Sequence, residues 1–173
     1  MKYNFPIESE RVRFRLLTTD DILAWTQFFI NNPQLHFVGV TDNKSPEEQS
    51  AFWIERQMKR YIDTGIGIMA AISKETGQLI GNAGIIWRDE VLGQPEYEIG
   101  YSVIPELWGK GYAAEMAIRL REYFEEYQIA ERVISIIHVD NIGSQKVAEK
   151  NKMSRGPQFE FLDSPCYLYS YNL

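Results

Sequence analysis

The sequence has one cysteine, Cys166, so no disulfide can form within the chain, and a reducing compartment fits this count. With only two histidines and no spacing typical of metal ligands, we expect no metal site. The longest apolar run, residues 66–72, is interrupted by Gly67 and is too short to span a bilayer. The first residues contain no apolar core of signal-peptide length. We therefore expect a soluble cytoplasmic protein with no membrane partner.

The composition is that of one folded domain. The chain has 173 residues, of which 45% are hydrophobic, and its four Trp, ten Tyr and nine Phe supply a core. No linker or repeat interrupts it, so we predict a single domain over residues 1–173. The net charge of −6 disfavours nucleic acid as a partner, because phosphates need a basic face. The sequence leaves a monomer and a homodimer equally open.

Hydrophobic periodicity and turn residues predict a mixed α/β (α+β) fold. A capping box at Thr18 and Asp21 begins a helix with Ile22, Trp25 and Phe29 on one face. A second helix begins at Ser45 and should end near Gly65. Gln94 and Pro95 should break the chain between two strands. The predicted strands are 11–17, 67–73, 78–87, 97–103, 132–139, 158–162 and 167–171, and the later helices are 112–127 and 144–151.

A glycine loop between a predicted strand and helix is the most informative segment. Gly109 and Gly111 stand two residues apart directly before the helix, where main-chain N–H groups are exposed and a diphosphate can bind. Alone this pattern is weak, because most such turns are plain connectors. No Ser or Thr follows Gly-Lys, so it is not a Walker loop, and the third glycine of a dinucleotide fingerprint is missing.

Two longer patterns carry a family resemblance. The segment Trp108-Gly109-Lys110-Gly111-Tyr112-Ala113, after the strand Tyr97-Glu98-Ile99-Gly100-Tyr101-Ser102-Val103, resembles the acyl-CoA loop of the GNAT superfamily of N-acetyltransferases. The wider pattern, with Pro105 and Glu115, looks like the ribosomal-protein N-terminal acetyltransferase subgroup. A second block, Asn141-Ile142-Gly143-Ser144, is similar to the Asn-x-x-Ser pattern of that subgroup. The predicted order of elements matches the family over nearly the whole chain.

The resemblance implies a mostly antiparallel sheet with helices on both faces and splayed central strands. It also implies that acetyl-CoA is the co-substrate and that an amine attacks the thioester directly. The pantetheine arm would lie along one strand and the diphosphate on the loop amides, with the Asn141 side chain on the pantetheine or the acceptor. The implied cofactor-binding residues are Ser102, Val103, Ile104, Gly109, Lys110, Gly111, Tyr112, Ala113, Ala114 and Asn141.

Two residues are candidates for catalysis. Glu98 is the candidate base, because strand alternation places it opposite Ile99 and Tyr101 and the family match has an acid there. Its alternative is a solvated strand carboxylate. Ser144 is the candidate donor to the departing CoA thiolate, and its alternative is a hydroxyl that caps a helix. Other GNAT members often use a tyrosine near this place, but none lies between Tyr127 and Tyr167.

The acceptor is less defined by the sequence. The resemblance favours a peptide or protein N-terminal α-amine; the alternatives are a small-molecule amine, or a module that binds acyl-CoA as a sensor without turnover. The acidic net charge suits a cationic acceptor. The aromatic residues that could line the acceptor end, or only the core, are His36, Phe37, Phe52, Trp53 and Trp87. The basic residues that could meet the cofactor's 3′-phosphate, or only solvent, are Lys146, Lys150, Lys152 and Arg155.

Overall fold

The structure is a computed structural model that describes residues 2–40 and 44–173. Within these residues, eight strands form one sheet in the order β1-β2-β3-β4-β5-β6-β8-β7. The strands are β1 (Ile7–Glu8), β2 (Val12–Arg15), β3 (Ile68–Ser73), β4 (Leu79–Val91), β5 (Gln94–Val103), β6 (Arg132–His138), β7 (Ser154–Phe161) and β8 (Ser164–Asn172). The helices are α1 (Ile22–Trp25), α2 (Pro46–Asp63), α3 (Tyr112–Glu126) and α4 (Ile142–Lys150). The predicted mixed, mostly antiparallel sheet is confirmed: among the strands described, β5 and β6 form the parallel pair.

Helices cover both faces of the sheet, as expected. On one face, Ile85, Ile99 and Val103 pack with the α3 residues Met116 and Leu120. On the other face, Ala70 and Ile72 of β3 pack with Trp25 of α1 and Ile54 of α2. Alternation along each strand produces both layers, because successive side chains point to opposite faces. Both faces of the sheet centre are therefore buried.

The second predicted helix is confirmed with its cap. The Ser45 N–H donates to Glu48 Oε2 at 2.8 Å, and Ser45 Oγ accepts the Glu48 N–H at 3.2 Å. Pro46 occupies the first turn, where its missing N–H has no intrahelical partner to lose. The helix ends at Asp63, two residues before Gly65.

The first predicted helix is shorter than expected. Only Ile22–Trp25 is α-helical, with a 3-10 turn on each side. The Thr26 hydroxyl donates to the Ile22 carbonyl at 2.9 Å, a bond that competes with the helical ladder and bends helices. Trp25 and Phe28 then stack with ring centroids 4.5 Å apart, so aromatic packing rather than helical repeat holds this segment.

The expected break at Gln94 and Pro95 is wrong. Both residues belong to β5, and the chain turns instead at Leu92 and Gly93, whose φ angles are 50° and 86°. Two successive positive φ angles are typical of the tight turn that suits the twist of a hairpin. Pro95 is accommodated because it lies at the register shift between β4 and β5, where the ladder is irregular. The short strand β1 was not expected from the sequence.

The central strands β5 and β6 are splayed, as the resemblance implied. Their ladder has one pair of partners, Glu98 and Ile134, among the residues described. Just beyond this pair, the Ser135 hydroxyl donates to the Ile99 carbonyl at 2.8 Å. Farther along, the two strands separate, so the β5 edge from Tyr101 to Val103 faces a gap in the sheet. This gap positions the candidate site.

Candidate active site

Two cavities meet at the gap between β5 and β6. The first, which we call the arginine cavity, has a volume of about 190 Å³ and is lined by Arg56, Arg60, Arg88, Glu98, Trp53 and Asn82 among others. The second, the loop groove, has a volume of about 370 Å³ and is lined by Val103, Gly109, Gly111, Tyr112, Ala113 and Ala114 among others. Both cavities are lined by Tyr101, Ser102, Asn141 and Ser144. A ligand in the groove can therefore meet a ligand in the cavity at these side chains.

The loop groove offers main-chain N–H groups at the start of α3. Gly109 and Gly111 have φ angles of 75° and 84°, the left-handed region that glycine adopts most readily. The first helical N–H with an intrahelical acceptor belongs to Glu115, which donates to the Gly111 carbonyl at 3.1 Å. The N–H groups of Tyr112, Ala113 and Ala114 precede it and have no such acceptor. They suit the oxygens of a phosphate group.

The two loop glycines are needed for different reasons. A Cβ built on Gly109 would meet no described atom within 4 Å, so a side chain there would project into open space at the groove. A Cβ on Gly111 would lie 3.5 Å from Arg11 Nη2, which is ordinary contact. The glycine at position 111 therefore serves the backbone conformation, and the glycine at position 109 also keeps the groove open.

A network of hydrogen bonds braces the loop from behind. Glu115 accepts hydrogen bonds from the Ser9 hydroxyl at 2.6 Å and the Arg11 N–H at 2.7 Å. Arg11 also pairs with Glu115 at 2.6 Å and donates to the Lys110 carbonyl at 3.1 Å. Burial opposes ionisation of Glu115, but the bonds from Ser9 and Arg11 outweigh it and lower its pKa. The carboxylate thus holds the loop and the β1–β2 turn together.

The β5 edge presents fewer main-chain groups to the gap than the sequence suggested. The Ile104 N–H donates to the Ile80 carbonyl of β4 at 3.1 Å. Because the main-chain groups of successive residues in a strand point to opposite sides, the N–H and C=O groups of Ser102 also face β4. Tyr101 and Val103 face the gap instead. The Val103 carbonyl already accepts the Trp108 indole N–H at 2.7 Å, which leaves its N–H for a ligand.

Two of the expected cofactor residues do not line the groove. Ile104 is buried in the core with α1 and α2. Lys110 is exposed, and its carbonyl is bonded to Arg11. Of the basic residues considered for a phosphate, Lys146 and Lys150 line the groove. Lys152 and Arg155 do not line it, and the Arg155 guanidinium lies 5.0 Å over the Tyr167 ring.

Glu98 lies on the floor of the arginine cavity. It is 7% exposed and faces away from the layer that holds Ile99, so it is not a solvated strand carboxylate. Arg88 Nε donates to Glu98 Oε2 at 2.5 Å. Among the described residues, no donor reaches Glu98 Oε1. This oxygen is free to accept a proton or hydrogen bond from a ligand in the cavity.

The structure shows which of Ser144 and Asn141 caps helix α4. Asn141 is the N-cap of α4, and its Oδ1 accepts the Ser144 N–H at 3.0 Å. The cap therefore occupies only the carbonyl oxygen of Asn141, and its amide NH₂ can still reach a ligand. Ser144 is not the cap, so its hydroxyl is not needed to begin the helix.

Tyr101 is a site residue that the sequence analysis missed. Its hydroxyl donates to the Ser144 carbonyl at 3.2 Å, from a strand 43 residues earlier. Burial raises the pKa of Tyr101 above its usual range, so the hydroxyl stays protonated at neutral pH and can donate a hydrogen bond. A tyrosine hydroxyl near Ser144 thus comes from β5. Only the packing of β5 against α4 reveals it.

The structure separates the aromatic residues that could line the acceptor end or the core. His36, Phe37 and Trp53 line the arginine cavity. Phe52 is exposed, because it lies on the outer side of α2. Trp87 packs edge-on against Tyr97 with centroids 4.9 Å apart, on the α3 face of the sheet.

The arginines of the cavity were not predicted. Arg56 and Arg60 stand four residues apart on α2, a spacing that places two like charges on one helical face. That spacing is the signal that sequence reasoning could have used. Burial first, then repulsion from Arg56 and Arg88, lowers the pKa of Arg60 to about 10, so the guanidinium remains charged at neutral pH.

Other chemistries find less support in the described residues. Burial, with a smaller effect of Glu98, raises the pKa of the Cys166 thiol, which makes it a poor nucleophile. No group of three or more His, Cys, Asp or Glu side chains in residues 2–40 and 44–173 could hold a metal ion. No helix in these residues combines the length and apolarity needed to cross a membrane.

Comparisons with known proteins agree with the geometry. Residues 11–154 match the family model of the acetyltransferase (GNAT) domain. The uncharacterized N-acetyltransferase YoaA of Bacillus subtilis (strain 168) is 29% identical over 153 residues, which cover 84% of this chain and 81% of YoaA.

Solved structures extend the likeness to the whole fold. An acetyltransferase from Agrobacterium tumefaciens str. C58 has a TM-score of 0.80 and 25% identity, covering 100% of this chain and 98% of that one. The ribosomal-protein-S5-alanine acetyltransferase from Vibrio fischeri has a TM-score of 0.73 and 15% identity, covering 98% and 97%. The chain belongs to the GNAT acetyltransferase family and is an acyl-CoA-dependent N-acetyltransferase.

Proposed function

We propose that the protein transfers the acetyl group of acetyl-CoA to a primary amine that enters the arginine cavity. One observation carries the proposal: the loop groove and the arginine cavity share Tyr101, Ser102, Asn141 and Ser144. A thioester at the inner end of the groove would meet an amine from the cavity at these residues. The two reactants would approach from opposite sides and react without a covalent enzyme intermediate.

The loop residues bind the donor in this proposal. The N–H groups from Gly109 to Ala114, on a helix N-terminus, would hold the diphosphate. The Val103 N–H and the edge of Tyr101 would pair with the pantetheine amides, in place of the missing β6 partner. The Asn141 amide would donate to the pantetheine or acceptor side, while its oxygen caps α4.

Glu98 acts as the base for the amine. A free α-amine has a pKa near 8 and a lysine amine about 10.4, so deprotonation at pH 7 costs roughly 1.4 or 4.6 kcal/mol. The amine would lose its proton to Glu98 Oε1, directly or through a water molecule. Arg88 holds Oε2 and keeps the carboxylate directed into the cavity. The neutral nitrogen then attacks the thioester carbonyl carbon, the carbon–sulfur bond breaks, and the second proton of the nitrogen passes to the departing thiolate, which leaves an amide and CoA thiol.

Ser144 and Tyr101 would assist the departing thiolate. Both hydroxyl-bearing side chains line the junction of the two cavities. A thiol has a pKa of about 8.5, so the thiolate needs only modest stabilisation, of the order of one hydrogen bond. The Ser144 hydroxyl can donate that bond, whereas the Tyr101 hydroxyl has one proton, which it donates to the Ser144 carbonyl, and it would have to give up that bond first. Ser144 is the proposed hydrogen-bond donor to the thiolate, and Tyr101 is the second candidate.

The acceptor in this proposal is a peptide or protein N-terminal α-amine, or a small-molecule amine. The resemblance to the ribosomal-protein subgroup supports the first. The cavity volume of about 190 Å³ is compatible with both, because it suits a single small molecule or the first residues of a peptide.

CoA release tests the proposal directly. Free thiol is measured over time with acetyl-CoA and panels of peptides and small amines, for the wild type and Glu98→Gln. Turnover of at least one amine, lost in Glu98→Gln, is the expected result. Tight acetyl-CoA binding with no turnover of any amine would refute the transfer reaction and favour a sensor.

A further inference from the structure

The arginine cavity has a charge opposite to that of the whole chain. Three guanidiniums and one carboxylate, Arg56, Arg60, Arg88 and Glu98, line it. With the histidines neutral, these side chains carry a net charge of +2, in a chain whose net charge is −6. A local excess of positive charge in a cleft attracts anions, here to the half-buried Arg60 at the wall and the exposed Arg56 at the opening.

Two of the arginines are not neutralised by the protein. Among the described residues, neither Arg56 nor Arg60 forms an ion pair, and Arg60 Nη1 donates only to the neutral Gln57 amide at 3.0 Å. On the outer side of the same helix, Lys59 pairs with Asp63 at 2.7 Å. Arg56 and Arg60 both line the cavity, so the pair without a counter-charge lies on the side of α2 that faces it. Two like charges four residues apart on one helix destabilise that helix.

Buried polar groups nearby also have no protein partner. Asn82 is 1% exposed and lines the cavity, and neither its Oδ1 nor its Nδ2 has a hydrogen bond to any residue of 2–40 or 44–173. The Trp53 indole N–H, on the α2 side of the cavity, has likewise no hydrogen-bond partner among the described residues. A buried polar group without a partner is unfavourable, so native structures rarely leave both atoms of an amide unused. These groups point to a polar ligand in the cavity.

We propose that the acceptor amine carries a carboxylate or phosphate group, which Arg56 and Arg60 bind while Glu98 receives the amine. The inference rests on the proposed function, because it assigns the substrate class of that same cavity. The Asn82 amide binds a polar group of the acceptor between the amine and the anion. This assignment replaces the cationic acceptor that the net charge of the chain suggested.

The same chemistry can come from two sources. One is a free small molecule that bears an amine and an anionic group. The other is a peptide whose amino terminus is followed by an acidic residue. In both, a guanidinium binds the anion by charge-assisted hydrogen bonds, and the amine is the nucleophile.

Matched acceptors test the inference. β-Alanine is compared with β-alaninamide, O-phosphoethanolamine with ethanolamine, and tetrapeptides with glutamate or glutamine at the second position with each other. Rates are compared at equal concentrations of neutral amine. We expect kcat/KM to be about 10- to 100-fold higher for the anionic member, the usual effect of charge-assisted hydrogen bonds. A larger preference for the anionic member among the small amines indicates a free small molecule as the acceptor. A larger preference among the tetrapeptides indicates a peptide.

Variants of α2 test whether Arg56 and Arg60 cause the preference for anionic acceptors. The double variant Arg56→Gln and Arg60→Gln should bring the paired acceptors toward equal kcat/KM, with an unchanged KM for acetyl-CoA. Lys59→Gln, on the outer side of the helix, should retain the full preference. Equal rates for paired acceptors in the wild type, or a preference that survives the double variant, overturns the inference and leaves the transfer reaction standing.

A binding measurement keeps the test independent of turnover. If no amine is acetylated, the proposed function fails, and the anion site is judged by calorimetry with inorganic phosphate at saturating CoA. Binding to the wild type and to Lys59→Gln, but not to the double variant, supports the anion site. Equal binding by all three proteins, or by none, removes it.

Discussion

Replacing Glu98 by glutamine should lower both kcat and stability, and a matched control variant can separate the two effects. Glu98 is 7% exposed and bonded to Arg88, so the change removes both a base and one member of a buried ion pair. Loss of general-base catalysis lowers kcat by about 10²–10⁴-fold. Loss of a charged hydrogen bond lowers stability by about 1.5–3 kcal/mol. For a chain of this size that is about 3–12 °C in the unfolding midpoint.

Glu96 provides the matched control. It lies two residues earlier on β5, on the same face, is 5% exposed and pairs with Arg132. Unlike Glu98, it does not line the arginine cavity. Glu96→Gln should therefore lower the unfolding midpoint by a similar amount and leave kcat unchanged. The comparison holds burial, charge and strand constant.

The assay is CoA-thiol release with one accepted amine, from pH 6 to 10, beside thermal unfolding of each variant. The kcat deficit of Glu98→Gln should shrink above pH 8, where an α-amine is already neutral. Equal kcat losses in Glu98→Gln and Glu96→Gln would show that the effect is structural. A normal kcat in Glu98→Gln at pH 7 would refute its role as the base.

Three further predictions follow from the loop and the junction. Gly109→Ala and Gly77→Ala, both at positive φ with no described atom within 4 Å of the new Cβ, should each lose about 1–2 kcal/mol of stability. Only Gly109→Ala should weaken CoA binding, on the order of 10-fold, and equal CoA affinities by calorimetry would contradict this. Ser144→Ala and Tyr101→Phe are compared by kcat and unfolding midpoint: the residue that donates to the thiolate should lose about 10- to 150-fold in kcat. Ser144→Ala should change stability little, whereas Tyr101→Phe should also lose about 0.5–1.5 kcal/mol of stability, because its hydroxyl bonds the Ser144 carbonyl. If neither variant is slower, the thiolate leaves without a protein donor. Glu115→Gln should be less stable than the wild type at pH 7; because folding lowers the pKa of Glu115 below 4.5, this difference should decrease as the pH falls from 4.5 through the lowered pKa of the folded state. A difference that stays undiminished down to about pH 2, by denaturant unfolding, would contradict it.

Most of the elements could be predicted from the sequence because their signals are local. The cap at Ser45 and the buried stripe of α3 involve residues within one or a few helical turns. The errors arose where a non-local or competing bond prevailed. Thr26 bent α1 through its own hydroxyl, and the Leu92–Gly93 turn carried β5 through Pro95.

In the candidate site, too, local sequence patterns were predictable and contacts between distant elements were not. The loop glycines, Glu98, Asn141 and Ser144 could be proposed from the sequence because each lies in a recognisable pattern. Whether the Glu98 carboxylate was solvated depended on α2, which covers that face of the sheet. Whether Ser144 or Asn141 capped α4 depended on one hydrogen bond, from the Ser144 N–H to Asn141.

The sequence by itself determined the family, the order of the elements and the loop that faces the donor, because these depend on periodicity and on glycines at fixed spacing. Only the tertiary structure placed the Tyr101 hydroxyl beside Ser144 and brought Arg56 and Arg60 to the cavity that holds Glu98. These residues come from a helix and strands far apart in the chain. Their meeting depends on strand register, on the splay of β5 from β6 and on the rotation of α2 over the sheet, which are set by packing across the whole core.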